Sequence, residues 1–203
     1  MVERIWSHLK KYFQDDKKYW RDRIADWNQA YGTTINHPHR NSLMEVLREI
    51  EFDSVLEIGC NIAPNLQRIK NEFKRIRLAG CDINEQSIIS ARKILPAEAN
   101  LWVSEASELP FDDKSYDLVI TDAILIYIDK KEIEKVRDEM LRVARKGIVM
   151  VEWQSNREDK IFGHWRRDYK KLFEGHRVHL NKITNWGGLW NRFGYIIYVE
   201  IKS

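Results

Sequence analysis

Four carboxylates sit at or near the ends of apolar runs: Glu57 in "SVLEIG", Asp82 in "RLAGCDI", Glu105 in "NLWVSEA" and Asp122 in "YDLVITDA". A carboxylate in such a place can hold hydroxyls or an amine, offset a positive charge, or take a proton. Other candidate proton acceptors are His37 and His39 of "HPHR", Tyr127, Glu152 and His164. Asp122, Tyr127 and His37 form the expected catalytic set. The "H-x-H" pair lacks an assembled acidic partner, so no metal site is expected. Cys60 and Cys81 each close an apolar run and read as buried thiols rather than a disulfide.

The elements that must position these groups follow from the hydrophobic pattern. Strand-like "SVLEIG", "RLAGCDI", "NLWVSEA", "YDLVITD" and "GIVMVEW" are interleaved with amphipathic "PNLQRIKNEF", "EQSIISARKIL" and "KKEIEKVRDEMLRVA". Short apolar strands alternating with such helices predict a parallel sheet covered on both faces. Helical spacing also runs from Ile5 to about Trp27. Past "YGTTINHPHR", Asn41 or Ser42 is expected to cap a second helix carrying Leu43, Val46, Leu47 and Ile50. A last helix is expected over "HWRRDYKKLFE", then an antiparallel pair from "HRVHLNKI" and "GYIIYVEIK". The expected fold is a doubly wound, Rossmann-like α/β sheet with an antiparallel C-terminal edge and a helical N-terminal extension. One domain spans 1–203: extension 1–40, cofactor-binding core 41–153, and a C-terminal substrate side 154–203. Ligands of such sheets bind at the carboxyl ends of the strands.

The loop "GCNIAPN" is built for a sharp turn. Gly59 stands where backbone leaves the strand, Asn61 tolerates the left-handed region, Ala63 is small, and Pro64 suits a first helical position. It is more crowded than the dinucleotide fingerprint G-x-G-x-x-G, whose second glycine lets backbone approach a pyrophosphate. Pro64 removes a helix-N-terminal amide as well, which disfavours phosphate. A P-loop is excluded, since no G-K-[ST] follows.

"VLEIGCNIAPNL" resembles the first motif of class I S-adenosylmethionine-dependent methyltransferases, with Asn61 and Ala63 in place of two glycines. The resemblance continues in family order through "GCDIN", "SEASELPFDDKSYDLVITDAILIYI" and "GIVMVEW", over about residues 41–153. It implies S-adenosylmethionine as cofactor. The implied cofactor residues are Glu57, Gly59, Cys60, Asn61 and Asn65 of the first loop, and Asp82, Ile83 and Asn84 after the second strand. Glu105 and Ala106 at the adenine, with Asp122 and Ala123 near the sulfonium, complete that set. Asp82 would clamp the ribose hydroxyls; Glu105 would accept from the adenine amino group. An NAD enzyme uses an acidic residue at the Asp82 position too, so that residue alone does not separate the cofactors.

Methyl transfer is an in-line displacement at an already activated carbon, so alignment and water exclusion dominate and no fixed catalytic signature is expected. The expected acceptor is a small molecule methylated on O or N, and candidate substrate residues are Arg40, Trp153, His164, Trp165 and Arg166. The rival readings are a silent cofactor- or partner-binding domain and an NAD-dependent oxidoreductase. Net charge is only +3, but residues 1–40 and 154–203 are basic around an acidic 41–153, and six of eight Trp lie in those flanks. Without an RNA-binding module or an N-P-P-Y-type tetrapeptide, nucleic acid is not the expected partner. No apolar run reaches the roughly 20 residues of a membrane span. The start lacks a signal-peptide h-region, so a cytoplasmic protein is expected.

Overall fold

The structure, a computed structural model, describes residues 16–23 and 35–201. Of the expected N-terminal helix, Asp16–Asp22 is seen (α1), Arg23 follows it outside the helix, and the remainder lies outside the described residues. The second helix, α2, spans Pro38–Arg48. Asn41 and Ser42 lie inside it rather than capping it. His37 is the cap, and Pro38 takes the first helical position, where a missing N–H costs nothing.

The alternation then unfolds as the pattern predicts: β1 Ser54–Ile58, α3 Pro64–Glu72, β2 Arg77–Asp82, α4 Glu85–Arg92, β3 Asn100–Val103, β4 Tyr116–Asp122, α5 Ile133–Val143 and β5 Ala144–Trp153. All five strands are parallel, and β1 pairs with both β2 and β4. The sheet is completed by β8 Arg177–Lys182 and β9 Gly194–Glu200, with β9 antiparallel to both β5 and β8. Its order is β3-β2-β1-β4-β5-β9-β8, a mostly parallel sheet with an antiparallel edge.

β1 is buried along its whole length and β4 up to Thr121, as strands covered on both faces must be. One apolar layer gathers Leu43, Leu47, Leu66 and Ile69 with Val55 and Ile120; the other gathers Leu56, Ile58, Val119, Val136 and Met140. The crossover to the opposite faces falls between β1 and β4, so their carboxyl ends open the crevice.

One expected element is corrected. "HWRRDYKKLFE" is not one helix: His164–Arg166 is strand β7, paired with β6 (Asp159–Ile161), and only Tyr169–Leu172 is helical (α6). Its Trp165, Tyr169, Phe173 spacing is helical by coincidence. Tyr169 and Phe173 are buried against the sheet, whereas Trp165 is on the hairpin. A short helix, α7 (Gly188–Phe193), precedes β9. No described helix is long and apolar enough to cross a membrane.

Candidate active site at the carboxyl ends of β1, β2 and β4

The loop leaving β1 keeps a backbone built for glycine with one glycine. Gly59, Asn61 and Ala63 have φ of +71°, +49° and +63°. Asn61 holds this conformation partly through its own side chain, which accepts from the Ile62 N–H at 2.7 Å. Gly59 is different, because a Cβ there would lie 2.2 Å from Ile124 Cγ2. The Gly59 and Cys60 amides donate to Cys81 O, tying the loop to the end of β2. Asp82 ties it again, accepting from Asn61 N and Asn84 N at 2.9 Å each. Burial pushes the Asp82 carboxyl up against those amides.

Beneath the loop lies a buried polar cluster. Asn65, on the first turn of α3, donates through one side-chain nitrogen to Glu57 Oε1 at 2.7 Å and Asp122 Oδ2 at 3.0 Å. Its oxygen accepts from Arg40 Nε at 2.8 Å, and His39 Nε2 lies 2.9 Å from Asp122 Oδ2. Burial pushes Glu57 up to about 8, opposed by the Asn65 hydrogen bond. Burial also raises Asp122, but His39, Arg40 and Asn65 outweigh it and hold that carboxyl at about 2. Asp122, expected among the bases, is therefore held as an anion. Two carboxylate oxygens of this cluster, Glu57 Oε2 and Asp122 Oδ1, are buried without a hydrogen-bond partner. Leaving such groups unmet costs about 1–3 kcal/mol or more each.

The loop after β4 forms the facing wall. Ala123 is left-handed at φ +59°. Glu152, fully buried on β5, accepts from Thr121 Oγ1, Ile124 N and Leu125 N at 3.0 Å each and from Ile126 N at 3.2 Å. Burial raises it to about 7, and those donors oppose the rise. Buried Arg167 donates to the carbonyls of Leu125 and Ile128 and to Glu158 Oε1. Glu152 thus fixes this loop instead of serving as a base. Arg167 was not singled out by sequence reading as part of the site; it looks like one of several surface cations until the hairpin buries it.

These walls enclose a cavity of about 440 Å³. All twelve residues assigned to the cofactor line it, from Glu57 through Ala123, and so do His37, His39, Arg40 and Tyr127. Four other expected substrate residues do not. Trp153 is buried with Ile126 and Phe193, His164 lies 3.3 Å from the Tyr127 hydroxyl, the Trp165 amide bonds Ile126 O, and Arg166 pairs with Asp159. Trp153, His164 and Trp165 thus contact the β4–α5 loop from behind, and Arg166 ties the hairpin together. Sequence reading also missed the cover: α1 lays Lys17 and Trp20 over the cavity. Lys17 and Arg21 pair with Glu105, and the Asn84 side chain donates to the carbonyls of Trp20, Arg21 and Arg23.

A mostly parallel seven-stranded sheet with an acidic cavity over β1, β2 and β4 is the fold of class I S-adenosylmethionine-dependent methyltransferases. Residues 55–147 match the family model described as a methyltransferase domain. Trans-aconitate 2-methyltransferase of Variovorax paradoxus is 24% identical over 139 residues, 67% of this chain and 53% of that protein. The chain spans about half the length of the curated relatives it matches. Among solved structures, a chain of the complex between the Haloferax volcanii Trm112 methyltransferase activator and its methyltransferase superposes with a TM-score of 0.70. It is 17% identical, covering 90% of this chain and 96% of that one. Magnesium protoporphyrin IX methyltransferase of Synechocystis, with bound S-adenosylmethionine, gives 0.61 at 13% identity, covering 97% and 91%.

Proposed function

We propose that this chain binds S-adenosylmethionine in the cavity and moves its methyl group to an oxygen or nitrogen of a small-molecule acceptor by in-line displacement. The observation that carries the reading is the pair of buried, unpaired oxygens, Glu57 Oε2 and Asp122 Oδ1. The cofactor brings an ammonium and a sulfonium, and these carboxylates fit the ammonium donors and the positive charge. Asp82 accepts from the amides of Asn61, Ile83 and Asn84 and keeps lone-pair capacity for the ribose hydroxyls. Glu105 and Ala106 fit the adenine edge. When bound, the cofactor supplies a methyl carbon already activated by sulfonium. The chain's task is to align the nucleophile and exclude water, an effect worth up to about 7–11 kcal/mol.

The same wall disfavours NAD. Glu57, Asp82, Glu105 and Asp122 all line the cavity, and a pyrophosphate placed there would meet carboxylates without a free helix-terminal amide at Pro64. A small acceptor is supported by the relatives whose names give trans-aconitate and ajmaline as what they methylate. Titration calorimetry with S-adenosylmethionine, S-adenosylhomocysteine and NAD in parallel tests the reading. The first two should bind and NAD should not. Binding of NAD alone would overturn it. Cofactor binding without methyl transfer to any of a broad set of hydroxyl, carboxyl and amine compounds would favour a silent domain.

A further inference from the structure

Resting on that reading, we propose that His37 is the general base of the site and that His39 and Asp122 are positioning residues that hold it in the required tautomer. The chain of contacts is short. Asp122, an anion, lies 2.9 Å from His39 Nε2, so that nitrogen carries the proton of the bond. The other ring nitrogen, His39 Nδ1, is 2.6 Å from His37 Nδ1. Two lone pairs cannot face each other at that distance; one proton must lie between them. With His39 neutral and its one proton on Nε2, the shared proton belongs to His37 Nδ1. His37 Nε2 is then left with a lone pair. A longer contact, from the His39 backbone N–H to His37 Nδ1 at 3.4 Å, is too weak to reverse this choice.

Position supports the same role. His37 lines the cavity, and its Nε2 has no hydrogen-bond partner among the described residues. Its backbone is held at the start of α2, directly before Pro38, where its carbonyl accepts from the Arg40 N–H at 2.9 Å. The His39 ring is clamped by stacking on Trp186 at 3.8 Å and 8°, and Trp190 stacks behind Trp186 at 3.9 Å. The groups facing His37 are His39 and Arg40 from α2, Asp122 from β4, and the Trp186 ring. Burial, the largest cause, lowers its proton affinity against the pull of Asp122, so the ring is unprotonated near neutral pH.

In the transfer, the acceptor's nucleophilic atom forms a bond to the methyl carbon, and the carbon–sulfur bond breaks with its electron pair going to sulfur. The acceptor's proton goes to His37 Nε2. The resulting positive charge is shared across the contact to His39 and balanced by Asp122. Such a base matters only for an acceptor that holds its proton near pH 7, which is a hydroxyl or an amine. A carboxylate acceptor is already ionised and would gain nothing from it.

The test uses ¹⁵N-histidine protein and long-range ¹H–¹⁵N spectra of the imidazoles from pH 5 to 9, alone and with S-adenosylhomocysteine. The expected result is a neutral His37 with its proton on Nδ1 at pH 7.5, and a lower His37 midpoint in Asp122→Asn. A His37 proton on Nε2, or a midpoint indifferent to Asp122→Asn and His39→Gln, would overturn the proposal. Diethyl pyrocarbonate, which acylates an unprotonated imidazole nitrogen, checks where Nε2 faces. S-adenosylhomocysteine should slow modification of His37 more than tenfold and leave exposed His179 unchanged. Equal modification with the ligand demonstrably bound would also overturn the assignment. A protein that binds no S-adenosylhomocysteine would instead refute the methyltransferase reading, while the tautomer spectra still report on the histidine pair.

Discussion

Gly59→Ala tests why one glycine survives in a loop that has replaced two others. The substitution has two separable costs. A side chain at φ +71° carries the left-handed penalty, about 1–2 kcal/mol for an ordinary residue. The new Cβ would also sit 2.2 Å from Ile124 Cγ2 and 3.2 Å from its Cβ, an overlap that must be relieved by moving the β4–α5 loop. Overpacking of this kind costs about 1–3 kcal/mol. Together the loss is about 2–5 kcal/mol, or a fall in Tm of roughly 4–20 °C for a chain of this size. Only the second cost depends on Ile124. In a double-mutant cycle followed by urea denaturation, Gly59→Ala with Ile124→Ala should be more stable than the sum of the single changes by about 1–3 kcal/mol. The left-handed penalty should remain. Additivity within about 0.5 kcal/mol would refute the reasoning, because it would mean the glycine is kept for backbone freedom alone. The same reasoning predicts that Asn61→Gly and Ala63→Gly are mild, since those positions already hold a side chain at positive φ.

Glu57 and Glu152 predict an unusual pH profile. Their folded carboxyls stand at about 8 and about 7, above the ordinary 4.5, so folding takes up protons between those values. The stability they supply is full below about pH 4.5 and is lost as pH rises through 7 and 8, whereas the contribution of Asp122 is full above 3.8 and lost as pH falls toward 2. Urea midpoints from pH 5 to 8.5 should therefore decline, and Glu57→Gln should flatten the slope; an unchanged slope would remove Glu57 from the account. A cofactor ammonium favours ionised Glu57, so S-adenosylmethionine affinity should increase as pH climbs toward 8, with proton release visible by calorimetry in buffers of different ionisation heat. Asp82→Asn turns one acceptor toward the amides into a donor, and should lower cofactor affinity more than tenfold while costing about 1–3 kcal/mol of stability. Unchanged affinity would show that Asp82 holds only the loop. Arg167→Met leaves the carbonyls of Leu125 and Ile128 without their charged donor, at about 1.5–3 kcal/mol per bond, which thermal denaturation would read as a large fall in Tm.

The parallel core was legible because its strands are short apolar runs punctuated by amphipathic helices, a pattern with few other solutions. The loop after β1 was legible for a related reason: Gly59, Asn61 and Pro64 each announce a backbone conformation. Ala63 announces nothing, yet stands left-handed at the cap of α3. The hairpin was misread because its two-residue turn is Phe162-Gly163, with φ of +51° and +82°. Asn or Asp would have signalled that turn; phenylalanine rarely occupies such a position. The histidine relay could be suspected as "HPHR", but its order depends on Asp122 and Trp186, 83 and 147 residues further along than His39. Glu152 carried a signal that was read for the wrong role. A lone charge in the apolar strand "GIVMVEW" is too costly to bury unless several donors meet it, and here four do.

The two halves of the cavity are held by interactions of different strength, and this bears on how a ligand enters. The floor is made of buried carboxylates, amides and packed loops, where each broken bond leaves an unmet charge. The cover is α1, held by half-exposed pairs of Lys17 with Glu105 and Glu132 and of Arg21 with Glu105, by Asp16 with Lys160, by the Asn84 hydrogen bonds to the Trp20 and Arg21 carbonyls, and by the Trp20 ring edge-on to Tyr127 at 5.0 Å. Exposed ion pairs are worth about 0–1 kcal/mol and weaken with salt, so the ionic part of this grip is cheap to break. An adenine amino group approaching Glu105 would compete with two cations that water can solvate just as well. These ion pairs can thus yield to a ligand without disturbing the floor that must recognise it. Raised ionic strength should accordingly speed S-adenosylhomocysteine association in stopped-flow fluorescence of Trp20. A Lys17→Met, Arg21→Met variant should associate at the high-salt rate already at low salt. If both proteins respond equally to salt, the ion pairs of α1 do not gate the cavity.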